Sequence, residues 1–149
     1  MSVVKQRIQI NAPIERVWET IMDPNRFGEW VTIHRAVSNV SADARSKGAT
    51  MDQVMHMRGT NFKVHWLLTE VDAPRLAVWQ GRGPAHSRAG IRYELSNGRD
   101  GEPTVFEYVN DFHPPGGRLG AFASRFVVGA ASEREAQNSL ARLKSLLER

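Results

Sequence analysis

The sequence predicts an α+β fold in which a curved antiparallel sheet of seven strands wraps around one long C-terminal helix. Three observations lead to this fold class. Residues 4–10 alternate apolar and polar side chains, residues 31–113 read as six further strands with no helix-length stretch between them, and residues 119–147 repeat apolar side chains at helical spacing. A sheet of this size cannot bury its apolar face on itself, so we expect it to curl around the terminal helix.

Length and composition narrow the class of protein. The chain has 149 residues, which favours a single domain over residues 1–149. It contains no cysteine, which excludes a disulfide framework, a Cys-ligated zinc site and a thiolate nucleophile. No apolar run approaches the roughly 18–20 residues of a membrane span, and the first ten residues do not resemble a signal peptide. We therefore expect a cytoplasmic protein without a membrane span.

The charge balance is mildly basic. Lys and Arg number 20 against 16 Asp and Glu, which gives a formal net charge of +4. The basic residues are spread along the chain, as is typical of an ordinary solvated surface. A nucleic-acid interface would need clustered basic residues with exposed aromatic side chains or a recognition helix. We therefore expect no nucleic-acid partner.

Two short helices are predicted after the first strand. Asn11-Ala12-Pro13 opens the first helix, with proline in its first turn, where a missing N–H is tolerated. Asp23-Pro24 then restarts the chain as a second short helix that ends near Gly28-Glu29-Trp30. The first helix buries a stripe of bulky side chains at helical spacing: Ile14, Val17, Trp18, Ile21 and Met22.

Six strands are predicted to follow. Turn-forming residues such as Ala73-Pro74 and Asn97-Gly98 separate them. Because no helix intervenes, consecutive strands should pair as an antiparallel meander. The predicted strands lie near residues 31–40, 47–58, 60–71, 76–83, 88–97 and 103–113.

Alternation along these strands predicts which side chains face the interior. Trp66, Tyr93 and Tyr108 fall on the more apolar faces of their strands. On the last strand the even-numbered side chains form the apolar face, so we expect Asp111 to point to solvent. A bulge in that strand would instead bring Asp111 and His113 inside, where they could act as an acid and a base. Another strand carries three methionines on one face: Met51, Met55 and Met57.

Several short motifs, each weak alone, occur in an order that is specific. They are Ile10-Asn11-Ala12-Pro13, Val17-Trp18, Asp23-Pro24, Trp30, Glu70-Val71, Pro74-Arg75-Leu76 and the closing Leu140-x-x-Leu143-Lys144…Glu148. With these motifs the whole chain resembles the START-like superfamily, often called SRPBCC, which includes lipid-binding START domains, birch-pollen-allergen-like proteins and polyketide cyclases. The resemblance implies a helix-grip fold with an apolar cavity between the sheet and the C-terminal helix.

A narrower resemblance concerns residues 29–35. Glu29-Trp30-Val31-Thr32-Ile33-His34-Arg35 is similar to a stretch of an actinobacterial subgroup described as the toxin of a toxin–antitoxin pair. This resemblance implies a protein partner that covers the cavity or the basic surface.

Motifs for metals, nucleotides and acyl transfer are not found. The five histidines lack the i, i+4 helical spacing or the His-x-His strand spacing of a metal site. Gly81-Arg82-Gly83 lacks the third glycine and the following helix of a dinucleotide-binding loop. The chain also has no Gly-x-Ser-x-Gly nucleophile elbow. We therefore expect no metal and no cofactor, and interpret Gly81–Gly83 as a turn at the cavity rim.

The resemblance and the aromatic lining together predict a binding protein for a small apolar ligand, lipid-like or ring-containing. The alternative is an enzyme similar to polyketide cyclases and aromatases, which would remove a proton beside a carbonyl and expel water. Its candidate residues are Arg92, Tyr93, Tyr108, Asp111 and His113, which no motif unites. Catalysis, homodimer formation and a protein partner are left open. The candidate ligand-binding residues are Met55, Trp66, Tyr93, Tyr108, Asn110, Phe122 and Phe126.

Overall fold

The computed structural model describes residues 2–57, 59–113 and 130–149. The strands of these residues are β1 (Ser2–Ile10), β2 (His34–Ser38), β3 (Thr50–Met57), β4 (Thr60–Asp72), β5 (Leu76–Arg82), β6 (Arg88–Asn97) and β7 (Thr104–His113). They form one antiparallel sheet in the order β1-β7-β6-β5-β4-β3-β2. The meander from β2 to β7 follows the predicted pairing, and β1 forms one edge of the sheet, beside β7. The predicted fold class is confirmed.

Helices flank the sheet on its inner side. They are α1 (Ile14–Ile21), a 3₁₀ turn (Pro24–Arg26), α2 (Phe27–Trp30) and α3 (Ala130–Leu147). The predicted position of Pro13 is wrong by one residue: it is the extended N-cap of α1, and its carbonyl accepts the N–H groups of Arg16 and Val17. Helix α3 forms the last part of the predicted terminal helix. The predicted residues 119–129 lie outside the described residues.

Two register shifts bend the sheet. One lies between Leu68 and Glu70 where β4 pairs with β5, and the other lies between His34 and Ala36 where β2 pairs with β3. Such bulges increase the local twist and bend a strand. The sheet can therefore curl around the helices.

The C-terminal helix is fixed to the first strand. Lys144 Nζ donates a hydrogen bond of 2.7 Å to the carbonyl oxygen of Gln9, and the N–H of Asn11 donates one of 2.7 Å to Glu148 Oε2. The hydrogen bonds from Lys144 and from the Asn11 backbone lower the pKa of Glu148. Beneath these polar contacts α3 buries three leucines: Leu140, Leu143 and Leu147.

The strands have two differently filled ends, which we call the closed end and the open end. The closed end, around Ile10, Leu95 and Phe106, is covered by α1 and the last turns of α3. The N–H of Ile14 fixes α1 there through a hydrogen bond to the carbonyl of Gly98. The open end, around Val4, Ile91, Tyr108 and Asn110, contains the cavity described next.

Candidate functional site

A cavity lies against the inner faces of β3 to β7, with α2 and α3 on its other side. The centre of a water molecule can occupy a volume of about 120 Å³ inside the cavity. This volume is on the order of ten times the 10–15 Å³ that one water needs. Its wall is mainly apolar, with few polar groups, as is typical of small-molecule sites. The apolar part of the wall includes Met51, Met55, Val64, Trp66, Trp79 and Ile91.

The structure brings five of the predicted site residues to this cavity. The five are Met55, Trp66, Tyr93, Tyr108 and Asn110. The other two, Phe122 and Phe126, lie outside the described residues. The predicted rim turn at Gly81–Gly83 is wrong for its first two residues, because β5 continues to Arg82. Only Gly83 follows the strand, and it lines the cavity. Contact of these residues with a ligand stays a prediction.

Two stacked tyrosines carry hydroxyl groups at the cavity. The ring centroids of Tyr93 and Tyr108 are 6.0 Å apart, and Tyr93 packs edge-on against Phe106 at 5.4 Å. Asn110 Nδ2 donates a hydrogen bond of 3.1 Å to the Tyr108 hydroxyl oxygen. Burial raises the pKa of Tyr108 to about 12 and also raises the pKa of Tyr93. Both phenols are therefore neutral hydrogen-bond donors at physiological pH.

Gln53 is a cavity residue that the sequence interpretation missed. It lies between Met51 and Met55 on the inner face of β3, and its side chain is 5% exposed. Trp66 Nε1 donates a hydrogen bond of 3.0 Å to Gln53 Oε1, and Gln53 Nε2 lies 3.0 Å from His34 Nδ1. The signal that could have found it is a single amide within an inward-facing row of methionines.

His34 lies behind Gln53, at the start of β2. Its ring packs edge-on against Phe27, with the centroids 5.7 Å apart. Burial lowers the pKa of His34 because a charged imidazolium loses hydration there. His34 is therefore neutral at physiological pH.

Trp30 is both a core residue and part of the cavity wall. Its ring packs against Tyr93 and Phe106, at centroid distances of 6.3 and 6.5 Å. Trp30 is 2% exposed, and its indole N–H is buried without a hydrogen-bond partner among the described residues. A buried donor without a partner costs on the order of 1–3 kcal/mol of desolvation free energy.

The remaining residues considered for catalysis lie on the outer face of the sheet. Strand β7 keeps a regular register with both neighbours, so the bulge that would reverse Asp111 and His113 does not occur. Asp111 lies over Gly90 of β6, where a Cβ atom would come 2.2 Å from Asp111 Oδ1. Arg92 pairs with Glu94 on the same outer face. Of the five candidates, only the two tyrosines face the cavity.

A polar contact joins the α2–β2 connection to α3 at the edge of the cavity. The N–H of Thr32 donates to Ser139 Oγ at 3.1 Å, and the Thr32 hydroxyl donates to Glu135 Oε2. Both Glu135 and Ser139 line the cavity. Glu135 therefore places a carboxylate at the site.

The described residues contain no group of three or more His, Asp or Glu side chains that could hold a metal ion. On β3 and β4, His65 Nδ1 lies 2.6 Å from Asp52 Oδ1.

None of the helices in residues 2–57, 59–113 and 130–149 is long and apolar enough to cross a membrane.

The chain is similar to several known proteins. The sequence model of the family described as polyketide cyclase/dehydrase and lipid transport matches residues 1–148. An uncharacterised protein of Mycobacterium tuberculosis is 22% identical over 129 residues, which cover 87% of this chain and 90% of that protein. A protein named as a toxin in the same organism is 23% identical over 83 residues, which cover 56% of this chain and 58% of the toxin.

Among solved structures, the chain is similar to the Zhui aromatase/cyclase of a Streptomyces species. The TM-score is 0.76 at 15% sequence identity, and the match covers 99% of this chain and 94% of the other. At this identity the similarity shows a shared fold.

Proposed function

Because the chain belongs to the polyketide cyclase/dehydrase and lipid transport family, we propose that it binds a small apolar molecule, ring-containing or lipid-like, in the cavity at the open end. The observation that carries this proposal is the composition of the wall. Aromatic, methionine and aliphatic side chains together form most of it, while the polar groups include those of Gln53, Tyr93, Tyr108 and Asn110. Apolar walls supply affinity, and sparse polar groups orient the ligand.

The methionines and Trp66 have complementary parts in this proposal. Met51 and Met55 carry flexible, polarisable side chains that adapt to ligands of different shape. Trp66 is held flat against β5 because Gly81 has no side chain, and a Cβ there would lie 2.7 Å from the indole ring. A rigid aromatic surface therefore lies beside an adaptable one, since Met51 and Trp66 are paired between β3 and β4.

Native mass spectrometry of freshly purified protein tests the proposal directly. We expect an apolar molecule to co-purify, and its mass identifies the ligand class. A blue shift or quenching of tryptophan emission on adding that molecule, weakened in Trp66→Phe, would support the assigned site. Trp18→Phe is the matched control, because Trp18 is buried on α1 outside the cavity wall. An equal loss of response in both variants would contradict the assignment.

The second candidate is a cyclase or aromatase. Its support is the fold shared with an aromatase/cyclase, together with two neutral phenol donors and the carboxylate of Glu135 at the cavity. Such a reaction needs a base to take a proton beside a carbonyl and donors to stabilise the resulting oxyanion. Glu135 is the group suited to the first task, and Tyr93 and Tyr108 are suited to the second.

Turnover of a linear polyketone, followed by absorbance of the aromatic product, distinguishes this candidate from the binder. Enzymatic turnover should be lost in Glu135→Gln and kept in Asp111→Asn, since Asp111 faces outward. If the protein binds the polyketone without converting it, the cyclase candidate is excluded and the binding function remains.

Several expectations stay proposals: a single domain, no metal or cofactor, no nucleic-acid partner, and a homodimer or antitoxin-like protein partner. Elemental analysis should find no stoichiometric metal. A DNA shift assay at about 0.15 M salt, where surface charges are screened beyond roughly 8 Å, should be negative. Stoichiometric zinc or tight sequence-specific DNA binding would overturn these two expectations.

A further inference from the structure

Resting on the proposed function, we propose that Gln53 is the specificity-determining contact of the cavity, donating an amide N–H to an acceptor oxygen of the ligand. The preferred ligand is therefore an apolar ring system that carries a carbonyl-type oxygen, and the corresponding hydrocarbon binds less well. His34 acts as the positioning residue that holds the amide in place.

The orientation of the Gln53 amide follows from Trp66. An indole N–H can only donate a hydrogen bond, so the Gln53 atom 3.0 Å from Trp66 Nε1 must be the oxygen. The other end of the amide is then the NH₂ group. Rotating the Gln53 amide by 180° would place its NH₂ group against the Trp66 N–H, so that two donors would face each other.

The protonation of the His34 ring follows from the same argument. The Gln53 NH₂ group can only donate, so His34 Nδ1, 3.0 Å away, must accept. An imidazole whose Nδ1 accepts is neutral and carries its proton on Nε2. Trp66, Gln53 and His34 thus form a chain of hydrogen bonds with one direction.

This chain leaves one donor of Gln53 unused. An NH₂ group has two N–H bonds, and His34 takes one of them. Among the described residues, no hydrogen bond of the protein uses the second. The same face of β3 carries Met51 and Met55 beside it, which offer no strong acceptor. Because Gln53 is 5% exposed and lines the cavity, the missing acceptor is supplied by what enters the cavity.

The chemistry of the acceptor follows from the neutral donors around it. Gln53 and the two tyrosine hydroxyls are uncharged at physiological pH. A carbonyl oxygen can accept such bonds without bringing a charge into an apolar cavity, where an ion would lose its hydration. A ring ketone therefore suits Gln53 and the two tyrosines better than a carboxylate does. In the described parts of the chain, the charged residues that line the cavity are Glu135, which repels a carboxylate, and Arg88, which is exposed.

A matched pair of probes tests the inference: 9-fluorenone and fluorene, which share a tricyclic shape and differ in the carbonyl. Equilibrium dialysis should show the ketone binding about 3- to 10-fold tighter, the range that one neutral hydrogen bond supplies. In Gln53→Leu the ratio of the two dissociation constants should fall to about 1, while fluorene still binds. Retained fluorene binding shows that this variant is folded.

A pair of His34 variants tests the positioning role. His34→Asn keeps an acceptor at the place of Nδ1 and should preserve the ketone preference. His34→Leu removes the acceptor, frees the amide to rotate and should reduce the preference. A merely structural role of His34 would change both probes equally and would not be rescued by asparagine.

The outcomes separate this inference from the proposed function. If both probes bind with equal affinity to the unchanged protein, or if Gln53→Leu keeps the ketone preference, the inference is overturned and the binding function stands. If neither probe binds and no apolar molecule co-purifies, the proposed function itself fails, and the inference fails with it.

Discussion

The closed and open ends of the sheet are built from the same strands and differ in what covers them. At the closed end Leu95 and Phe106, on β6 and β7, are 3% and 0% exposed. At the open end of the same strands Ile91 and Asn110 are only half-buried and face the cavity. All four side chains follow one uninterrupted alternation. The alternation along each strand therefore sets which side chains point inward. The helices that pack on them set whether those side chains form a core or line a cavity.

The covering helices make the difference. Helix α1 and the end of α3 press leucine and isoleucine side chains onto the closed end and are fixed by hydrogen bonds to the strands. At the open end α3 is held partly by polar contacts with the α2–β2 connection, in the bonds of Thr32 to Ser139 and Glu135. Stability should therefore be concentrated at one end and adaptability at the other.

The largest expected effect comes from a core substitution at the closed end. Phe106→Ala should reduce the free energy of unfolding by about 3–5 kcal/mol, because a fully buried ring is replaced by a cavity. Urea unfolding followed by circular dichroism measures the loss. Ile91→Ala at the open end should lose less, since its side chain is half-buried. Equal losses would show that the two ends do not differ in packing.

A smaller effect is expected where a glycine makes room for the cavity wall. In Gly81→Ala the new Cβ would lie 2.6 Å from Val64 Cγ1 and 2.7 Å from the Trp66 ring. Overpacking of this kind typically costs about 1–3 kcal/mol. The displaced indole should also change tryptophan emission. A variant with unchanged stability and emission would mean that Trp66 is not held against β5.

The two tyrosines line the cavity, and they report on burial without a mutation. They are the only tyrosines in the chain, so absorbance at alkaline pH measures them alone. Because burial raises the pKa of Tyr108 to about 12 and that of Tyr93 too, no phenolate should form near pH 10 in the folded protein. The contribution of Tyr108 to stability is present below about pH 10 and is lost as the pH rises through about 12. Ionisation near pH 10 without unfolding would show that the rings are open to solvent.

The smallest effect is expected from His34. Its folded-state pKa is lowered by burial, so an unfolded chain binds the proton first as the pH falls. Its stabilising contribution is present above about pH 6.5, the ordinary histidine value, and is lost as the pH falls through the lowered folded-state pKa. Thermal unfolding of the wild type and His34→Asn between pH 5 and pH 8 measures the difference. Identical pH profiles would contradict this role.

The sequence predicted the fold well because strand alternation and helical spacing are local signals. Trp66, Tyr93 and Tyr108 were placed on inward faces by counting alone, and the structure has them there. The position of Pro13 was missed by one residue, because the hydrogen bond from Ile14 to Gly98, about 84 residues away in the chain, fixes where α1 begins.

The polar part of the site was harder to predict. Gln53 is distinguished by its partners, Trp66 on the neighbouring strand and His34 on the other side, which sequence spacing does not reveal. Trp30, at the end of a short helix, is a core residue that packs against Tyr93 and Phe106. Its second role appears only when the cavity is in place beside it.

The pairing of β1 with β7 has a consequence for how the protein is made. Ile10 pairs with Thr104, and Lys144 and Glu148 bind the backbone next to Ile10. Strand β1 therefore lacks its neighbour until about 100 further residues have been synthesised, which takes on the order of 5–20 s. Such distant contacts slow folding because a long loop must close before they form. During that interval strand β1 is an unpaired edge, which can pair with another chain until β7 is made.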